Sequence, residues 1–145
     1  MQTFLPYPSF TESLKCLDDK RLGKQRVEAM QIYNIVSGRH YDLAGWRNHP
    51  AVLMWRGYAD ALAFYHNVII DEWVLRGFRN NMEYLPIPDG EIIFPDWFGD
   101  ERFHSSHRSN LLRKNSDWYG QFGWGESSDL EYFWPVRKGG TYAKT

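Results

Sequence analysis

The sequence predicts a mainly α protein: a compact single-domain helical fold with irregular proline-rich loops and an extended C-terminal segment. Three observations support this prediction. The length of 145 residues fits one domain that can bury a core. Apolar residues recur every three or four positions over residues 18–36 and 51–76, which is typical of helices. Prolines and glycines are concentrated in residues 80–101, which favours an irregular excursion there.

The N-terminal segment predicts an arm followed by two helices. Prolines at positions 6 and 8 exclude a helix and favour an extended chain. Ser9 or Thr11 can cap a short helix that continues through residues 16 and 17. The second helix is expected over residues 18–36, where two leading aspartates suit the positive helix start and Ser37 and Gly38 form a stop.

The middle of the chain predicts a loop and then the longest helix. Residues 39–49 are expected to form the loop, with Asn48 or His49 as a cap and Pro50 at the first helical position. The helix should continue to Arg76 and end at Gly77. Gly57 is expected to bend this helix or to permit a close contact.

The last third predicts one short helix and an extended piece. The helix should start at Ser105 or Ser106, cover residues 107–114 and end at Asn115 and Ser116. Residues 130–136 look extended and residues 137–145 look loose. We therefore expect one helical domain over residues 1–136 and a loose C-terminal tail over residues 137–145.

Composition narrows the class of protein. The net charge of −1 gives no general attraction to nucleic acid or membrane, so an anion site must come from local clustering. One cysteine, Cys16, excludes an intramolecular disulfide and a cysteine-rich zinc site, and its apolar neighbours suggest a core thiol. We expect a cytoplasmic protein, because the first ten residues do not resemble a secretion signal. Seven tryptophans exceed what a small core requires, which indicates that some aromatic residues line a site.

Positive charge is concentrated in residues 15–26 and 102–114, and aromatic residues follow the second stretch. Guanidinium groups match phosphate oxygens, and aromatic rings can stack on unstacked bases. The alternatives are a solvated helix turn for the first stretch and a basic surface helix beside an aromatic core for the second. The candidate nucleic-acid-binding residues are Arg21, Lys24, Arg26, Asn48, His49, His104, His107, Arg108, Arg113, Lys114, Trp118 and Tyr119.

Two histidines raise the question of a metal. His104 and His107 share a helix face, a spacing that can hold a metal, but no cysteine is near and no acid lies within residues 102–114. Phosphate contact or capping explains them better, and capping is equally open for His49. We expect no metal and no cofactor.

Several motifs resemble one known family. They are LGKQRVE at residues 22–28, NHPAV at 48–52, EWVLRGF at 72–78 and FHSSHRSNLLRK at 103–114, followed by an aromatic pair at 118–119. Their order is similar to that of the pyrimidine-dimer DNA glycosylases of the phage endonuclease V type, in a divergent phage and bacterial branch. The resemblance covers about residues 1–136 and implies a compact, mainly helical single domain.

The resemblance also implies a chemistry. Family members combine glycosylase and abasic-site lyase activities: the α-amino group of the first residue attacks the sugar C1′ and forms an imine, and a glutamate of the second helix assists. Here this implies Met1 as the nucleophile and Glu28 as the glutamate, with Arg26 matching the family's arginine. The glutamate follows that arginine directly in the family, whereas Val27 intervenes here. Residue 2 is a bulky Gln that should leave Met1 in place, and a freed Gln2 could cyclise and lose its amine.

The expected partner is double-stranded DNA carrying a lesion or a modified base, bound by a monomer. Two other functions stay open at this point. The same fold could act on a modified base or nucleotide without lyase chemistry, or it could be a non-catalytic nucleic-acid-binding module.

Overall fold

A computed structural model describes residues 1–39, 46–138 and 141–144 of the chain. This part is mainly α-helical, as predicted from the sequence. Its helices are α1 (Phe10–Cys16), α2 (Asp19–Val36), α3 (Pro50–Leu53), α4 (Ala59–Leu75), α5 (Glu101–Lys114) and α6 (Ser116–Tyr119), with a 3-10 helix at Gly120–Phe122. Two short strands follow, β1 (Phe133–Lys138) and β2 (Thr141–Lys144).

The first two helices begin and end as the sequence predicts. The Ser9 hydroxyl accepts a hydrogen bond from the backbone nitrogen of Glu12 at 3.2 Å and so caps α1. Asp18 precedes α2, and Ser37 closes it. Gly38 follows with φ 78°, a left-handed conformation that glycine adopts without strain.

The predicted long helix over residues 51–76 is wrong in its extent, because the chain leaves the helix after Leu53 and resumes at Ala59. Gly57 has φ 85° in this break, and a helix cannot continue through that conformation. The cap prediction is confirmed: His49 Nδ1 accepts a hydrogen bond from the Ala51 nitrogen at 3.0 Å. Of the loop expected over residues 39–49, positions 40–45 lie outside the described residues.

The helix expected from residue 107 starts earlier, at Glu101. Its cap is the side chain of Asp100, which accepts a hydrogen bond from the Arg102 nitrogen at 3.0 Å. Asn115 closes the helix as expected. The segment before it, residues 79–100, holds turns without a helix or strand, which confirms the irregular excursion.

Close packing joins α2 to α4 across Gly23. A Cβ atom at this position would lie 3.0 Å from two ring carbons of Trp73, so only glycine fits without displacing the indole. Arg76, at the end of α4, reaches both earlier helices: it pairs with Asp19 at 3.0 Å and donates to the carbonyl of Lys15 at 3.0 Å.

The N-terminal arm is buried, and side chains from distant helices satisfy its backbone. The Phe4 backbone nitrogen donates a hydrogen bond to Gln25 Oε1 of α2 at 3.0 Å, and the Leu5 backbone nitrogen donates one to His107 Nδ1 of α5 at 2.9 Å. Tyr65 of α4 lies 2.9 Å from the Phe4 carbonyl oxygen. Three helices therefore hold the N-terminal arm in position, because a buried backbone group without a hydrogen-bond partner costs free energy.

Of the segment expected to be extended over residues 130–136, residues 133–136 lie in β1 of a C-terminal hairpin. The strands β1 and β2 pair antiparallel, with Lys138 opposite Thr141. β1 continues past residue 136, where the domain was expected to end, and that boundary stays a prediction. Within the described ranges, every helix is too short or too polar to cross a membrane.

Candidate active site

A cavity of about 320 Å³ opens where the N-terminal arm crosses the first half of α2. Its walls come from four parts of the chain, and both predicted catalytic residues are among them. The lining residues are Met1, Gln2 and Phe4 of the arm, Lys20, Arg21, Lys24, Gln25 and Glu28 of α2, Lys114 of α5, and Tyr132 and Trp134 near β1.

The carboxylate of Glu28 is held in place by the arm. Its Oε2 atom accepts hydrogen bonds from the Gln2 backbone nitrogen and from Gln25 Nε2, both at 3.1 Å. Its Oε1 atom lies 3.8 Å from Lys24 Nζ, and the side chain is 14 % exposed. A positioned, partly buried carboxylate beside the start of the chain can accept or deliver a proton there.

Gln25 links Glu28 to the arm, although it was not among the site residues predicted from the sequence. Its amide is fully used: Nε2 donates to the Gln2 carbonyl at 2.9 Å as well as to Glu28, and Oε1 accepts from Phe4 and lies 3.0 Å from the Tyr65 hydroxyl. A sequence signal existed, because Gln25 lies three residues after Leu22 and four before Ala29, on the buried stripe of α2. A polar residue at such a position requires polar partners.

The rim of the cavity is basic. Lys20, Arg21, Lys24 and Lys114 line it, and among the described residues of the lining Glu28 is the one acid. Partial burial and the neighbouring cations Arg21, Arg113 and Lys24 lower the pKa of Lys114. The structure thus brings three predicted phosphate-binding residues, Arg21, Lys24 and Lys114, together around the carboxylate. Arg21 also pairs with Asp18 at 3.2 Å.

The opposite side of the cavity is aromatic. Tyr132 and Trp134 lie with ring centroids 5.5 Å apart, and the ring of His49 meets Trp134 edge-on at 5.7 Å. Burial and the positive N-terminus lower the pKa of His49, and the charge of Glu28 opposes this shift. Since Nδ1 already accepts a hydrogen bond in capping α3, the ring is neutral near pH 7. Asn48, beside it, is exposed.

Arg26 does not join this site. Its guanidinium lies 4.3 Å from the ring of Trp73 and donates to Asn80 Oδ1 at 3.0 Å, beside a separate cavity lined by Arg79 and Asn81. Two residues correspond to about 200° around a helix, so Arg26 and Glu28 point to different sides of α2. A phosphate contact by Arg26 would therefore lie away from the cavity.

The two α5 histidines are core residues, which corrects the expectation that they contact DNA. Both rings are fully buried. His104 lies between the Leu5 carbonyl at 2.7 Å and the Gly99 nitrogen at 2.9 Å, and burial lowers the pKa of both histidines. Within the described ranges, no three potential metal-ligating side chains lie together.

Two further candidates are also internal, although both were expected to contact DNA. Arg108 is buried, donates to the Pro6 carbonyl at 2.7 Å, and pairs with Glu126 and Glu101. Tyr119 is fully buried, and its hydroxyl donates to the Asp18 carboxylate. These side chains hold the fold around the cavity rather than line it.

The last two candidates are exposed but lie outside the cavity lining. Arg113 donates to the Ser128 carbonyl at 3.0 Å. Trp118 donates from Nε1 to the Cys16 carbonyl at 2.8 Å, and its ring is partly exposed. Their contact with DNA stays a prediction. Cys16 is a buried core thiol as expected, and burial raises its pKa to about 12.

Comparison with known protein families gives a match over the first part of the chain. A family model described as pyrimidine dimer DNA glycosylase matches residues 1–85, which is more than half of the chain. The matched region includes the N-terminal arm, Glu28 and the α2–α4 contact. Lys114, Tyr132 and Trp134, which complete the cavity, lie beyond it. No curated protein and no solved structure matches the chain.

Proposed function

Because the chain belongs to the pyrimidine dimer DNA glycosylase family, we propose that it releases damaged or modified pyrimidines from DNA and cleaves the resulting abasic site through its N-terminal amine. Its partner in this proposal is lesion-bearing double-stranded DNA, and the protein acts as a monomer. The contact of the Gln2 nitrogen with Glu28 carries the proposal, because it holds the start of the chain against a carboxylate in a basic cavity.

The proposed nucleophile is the α-amino group of Met1. An unprotonated α-amino group is a nucleophile that can form an imine at C1′ of a sugar. Met1 lines the cavity and immediately precedes the amide that donates to Glu28. If Met1 were removed, the Gln2 nitrogen would itself become the free amine, 3.1 Å from the same carboxylate.

The proposed reaction first releases the base and then cleaves the strand. The amine attacks C1′ and gives up a proton, the bond between C1′ and the base breaks, and the base leaves with the bonding electrons and takes up a proton. The C1′–O4′ bond then opens, O4′ gains a proton, and C1′ and the amine nitrogen form an imine. Loss of a proton from C2′ expels the 3′ phosphate and cleaves the strand. In this proposal Glu28 moves protons between the amine, O4′ and C2′.

The basic rim supports the DNA part of the proposal. Lys20, Lys24 and Lys114 surround the carboxylate on a chain whose net charge is −1, so the positive field is local. Phosphates flanking the reacting sugar would neutralise these cations and release counterions. The aromatic side, Tyr132 and Trp134, suits a base that has left the helical stack.

Borohydride trapping on a duplex containing an abasic site tests the proposal. Borohydride reduces the imine and leaves a stable covalent adduct, which mass spectrometry of peptides can locate. We expect the adduct on the peptide that begins with Met1. Lys20, Lys24 and Lys114 also present amines to the cavity, so an adduct on one of them would contradict the assignment of the nucleophile.

The other two functions predict different results. A protein that acts on a modified base without lyase chemistry would release base and give no adduct. A non-catalytic binding module would bind lesion-bearing DNA and release no base. A chain acetylated at its N-terminus is the matched control, because it keeps every side chain and should still bind the duplex, but it should lose base release, strand cleavage and the adduct together.

A further inference from the structure

One buried side chain clamps the arm that carries the proposed nucleophile. Gln25 of α2 is 1 % exposed, and its amide meets the arm at backbone groups on both sides of Thr3. Nε2 donates to the Gln2 carbonyl at 2.9 Å, and Oε1 accepts from the Phe4 nitrogen at 3.0 Å. Nε2 also donates to Glu28 Oε2 at 3.1 Å, so the same amide holds both the arm and the carboxylate.

The clamp needs a side chain with a donor and an acceptor, because it meets a carbonyl and an N–H group of the arm. Glutamine offers both, whereas an ionised glutamate has no donor and lysine has no acceptor. The clamp is itself held from α4: the buried Tyr65 hydroxyl lies 3.0 Å from Gln25 Oε1 and 2.9 Å from the Phe4 carbonyl oxygen. These contacts are buried, so water does not compete for them.

We propose that Gln25 is a positioning residue that sets how far the α-amino group of Met1 reaches into the cavity and keeps it beside Glu28. The inference rests on the proposed function and deepens it. Gln2 is hydrogen-bonded through its carbonyl to Gln25 and through its nitrogen to Glu28, so Met1 extends from a fixed point. Formation of a bond at C1′ depends on such placement, since a shift of about 1 Å can cost about 10²-fold in rate.

Gln25→Met tests the inference on a duplex that contains an abasic site. The two side chains have similar lengths, and the change removes the amide without adding a charge beside Glu28. The rate of borohydride-trapped adduct on Met1 should fall by roughly 10- to 100-fold per folded molecule. Affinity for a duplex with a tetrahydrofuran abasic analogue should stay within about threefold, because the lysines of the cavity rim are unchanged.

The position of the adduct separates positioning from a loss of stability. When the arm is not clamped, the lysines of the cavity compete better for the sugar, so a larger share of the adduct should lie on Lys20, Lys24 or Lys114. A variant that is only less stable would form less adduct, in proportion to its folded fraction measured by circular dichroism. Its adduct would be distributed over the same residues as in the parent protein.

Asn67→Leu is the matched control, because Asn67 makes the same kind of clamp elsewhere. Its Nδ2 donates to the Leu85 carbonyl at 2.9 Å, and its Oδ1 accepts from the Leu85 nitrogen at 2.8 Å. Asn67 lies outside the cavity lining. The adduct rate per folded molecule, the affinity and the distribution of the adduct should therefore match those of the parent protein.

Tyr65→Phe is a milder variant that decides the question if Gln25→Met does not fold. It keeps the ring and the Gln25 amide and removes only the hydroxyl that holds the clamp. The rate of adduct formation on Met1 should fall by roughly 2- to 10-fold, the equivalent of one hydrogen bond, and the share of adduct on the cavity lysines should rise.

The outcomes distinguish the inference from the function beneath it. In the deciding variant, a rate on Met1 equal to that of the parent per folded molecule, or an unchanged distribution of the adduct, would overturn the positioning role. Equal changes in Asn67→Leu would overturn it as well. If the parent protein forms no adduct on Met1, the proposed function fails and this inference fails with it. If the parent forms that adduct and the deciding variant matches it, only the inference fails.

Discussion

Replacement of Glu28 by glutamine tests the centre of the proposed site. The two side chains are nearly isosteric. In the parent protein the Gln2 nitrogen and Gln25 Nε2 each donate a hydrogen bond to Glu28 Oε2 at 3.1 Å, and the amide oxygen of glutamine can still accept both. Each bond loses its charge assistance, a cost of about 1 kcal/mol. The contact with Lys24 adds little, because Lys24 is 71 % exposed and water screens the pair.

The expected stability cost is therefore about 2 kcal/mol, against about 5–15 kcal/mol for a typical domain, so Glu28→Gln should fold. DNA binding should persist or tighten, because a negative charge leaves a cavity that faces phosphates. If Glu28 moves protons in the reaction, turnover should fall by roughly 10²- to 10⁴-fold.

Single-turnover cleavage of a duplex that contains a pyrimidine dimer measures this effect, with binding followed on the same substrate. Asp19→Asn is the matched control: Asp19 also lies on α2, pairs with Arg76 and is absent from the cavity lining. Its rate should match that of the parent protein. A Glu28→Gln rate within threefold of the parent, equal to about 0.65 kcal/mol in barrier, would refute the catalytic role.

Two further predictions concern stability. Gly23→Ala should lower the free energy of unfolding by about 1 kcal/mol in urea titrations, although alanine favours helices. The added Cβ would press on the ring of Trp73, which is held between Arg26 and Phe78. A variant more stable than the parent protein would contradict this packing. Burial lowers the pKa values of His104 and His107, so below pH ~6.5 the unfolded chain binds protons that the folded chain does not, and stability should fall as the pH drops from 7.5 to 5.5. His107→Asn, which keeps an acceptor for the Leu5 nitrogen, should show a smaller fall between these two pH values, and an equal fall would exclude His107 as a contributor.

The ends of α2 were predicted well from the sequence and the start of α5 poorly, for a physical reason. The signals for α2 lie within a few residues of its ends: Asp18 at the start and Gly38, with φ 78°, just after the end. The cap of α5, Asp100, lies among the prolines, glycines and acids of the preceding loop, where it does not stand out. The apolar repeat continues through the break between α3 and α4, so the sequence predicted at most a bend at Gly57 where the helix is in fact interrupted.

Part of the site was also predictable. The basic stretch on α2 and the carboxylate of Glu28 follow from the local sequence, and the structure places Arg21 and Lys24 beside that carboxylate. Arg26 was predicted to belong to the same cluster because it is near in the chain, whereas the helix turns its side chain towards Trp73. Gln25 was missed because its partners, Gln2 and Tyr65, are remote in sequence.

The sequence by itself determined the helical class, the ends of α1 and α2, and the positive charge around Glu28, because each depends on neighbours within one or two helical turns. Only the tertiary structure decided which polar side chains face inward. His107 meets the Leu5 nitrogen across 102 positions of the chain, and Tyr119 meets Asp18 across 101. Burying the N-terminal arm removes its backbone from water, and distant side chains must then satisfy those groups. That requirement, met by the packing of the whole chain, places residues 1 and 2 against Glu28.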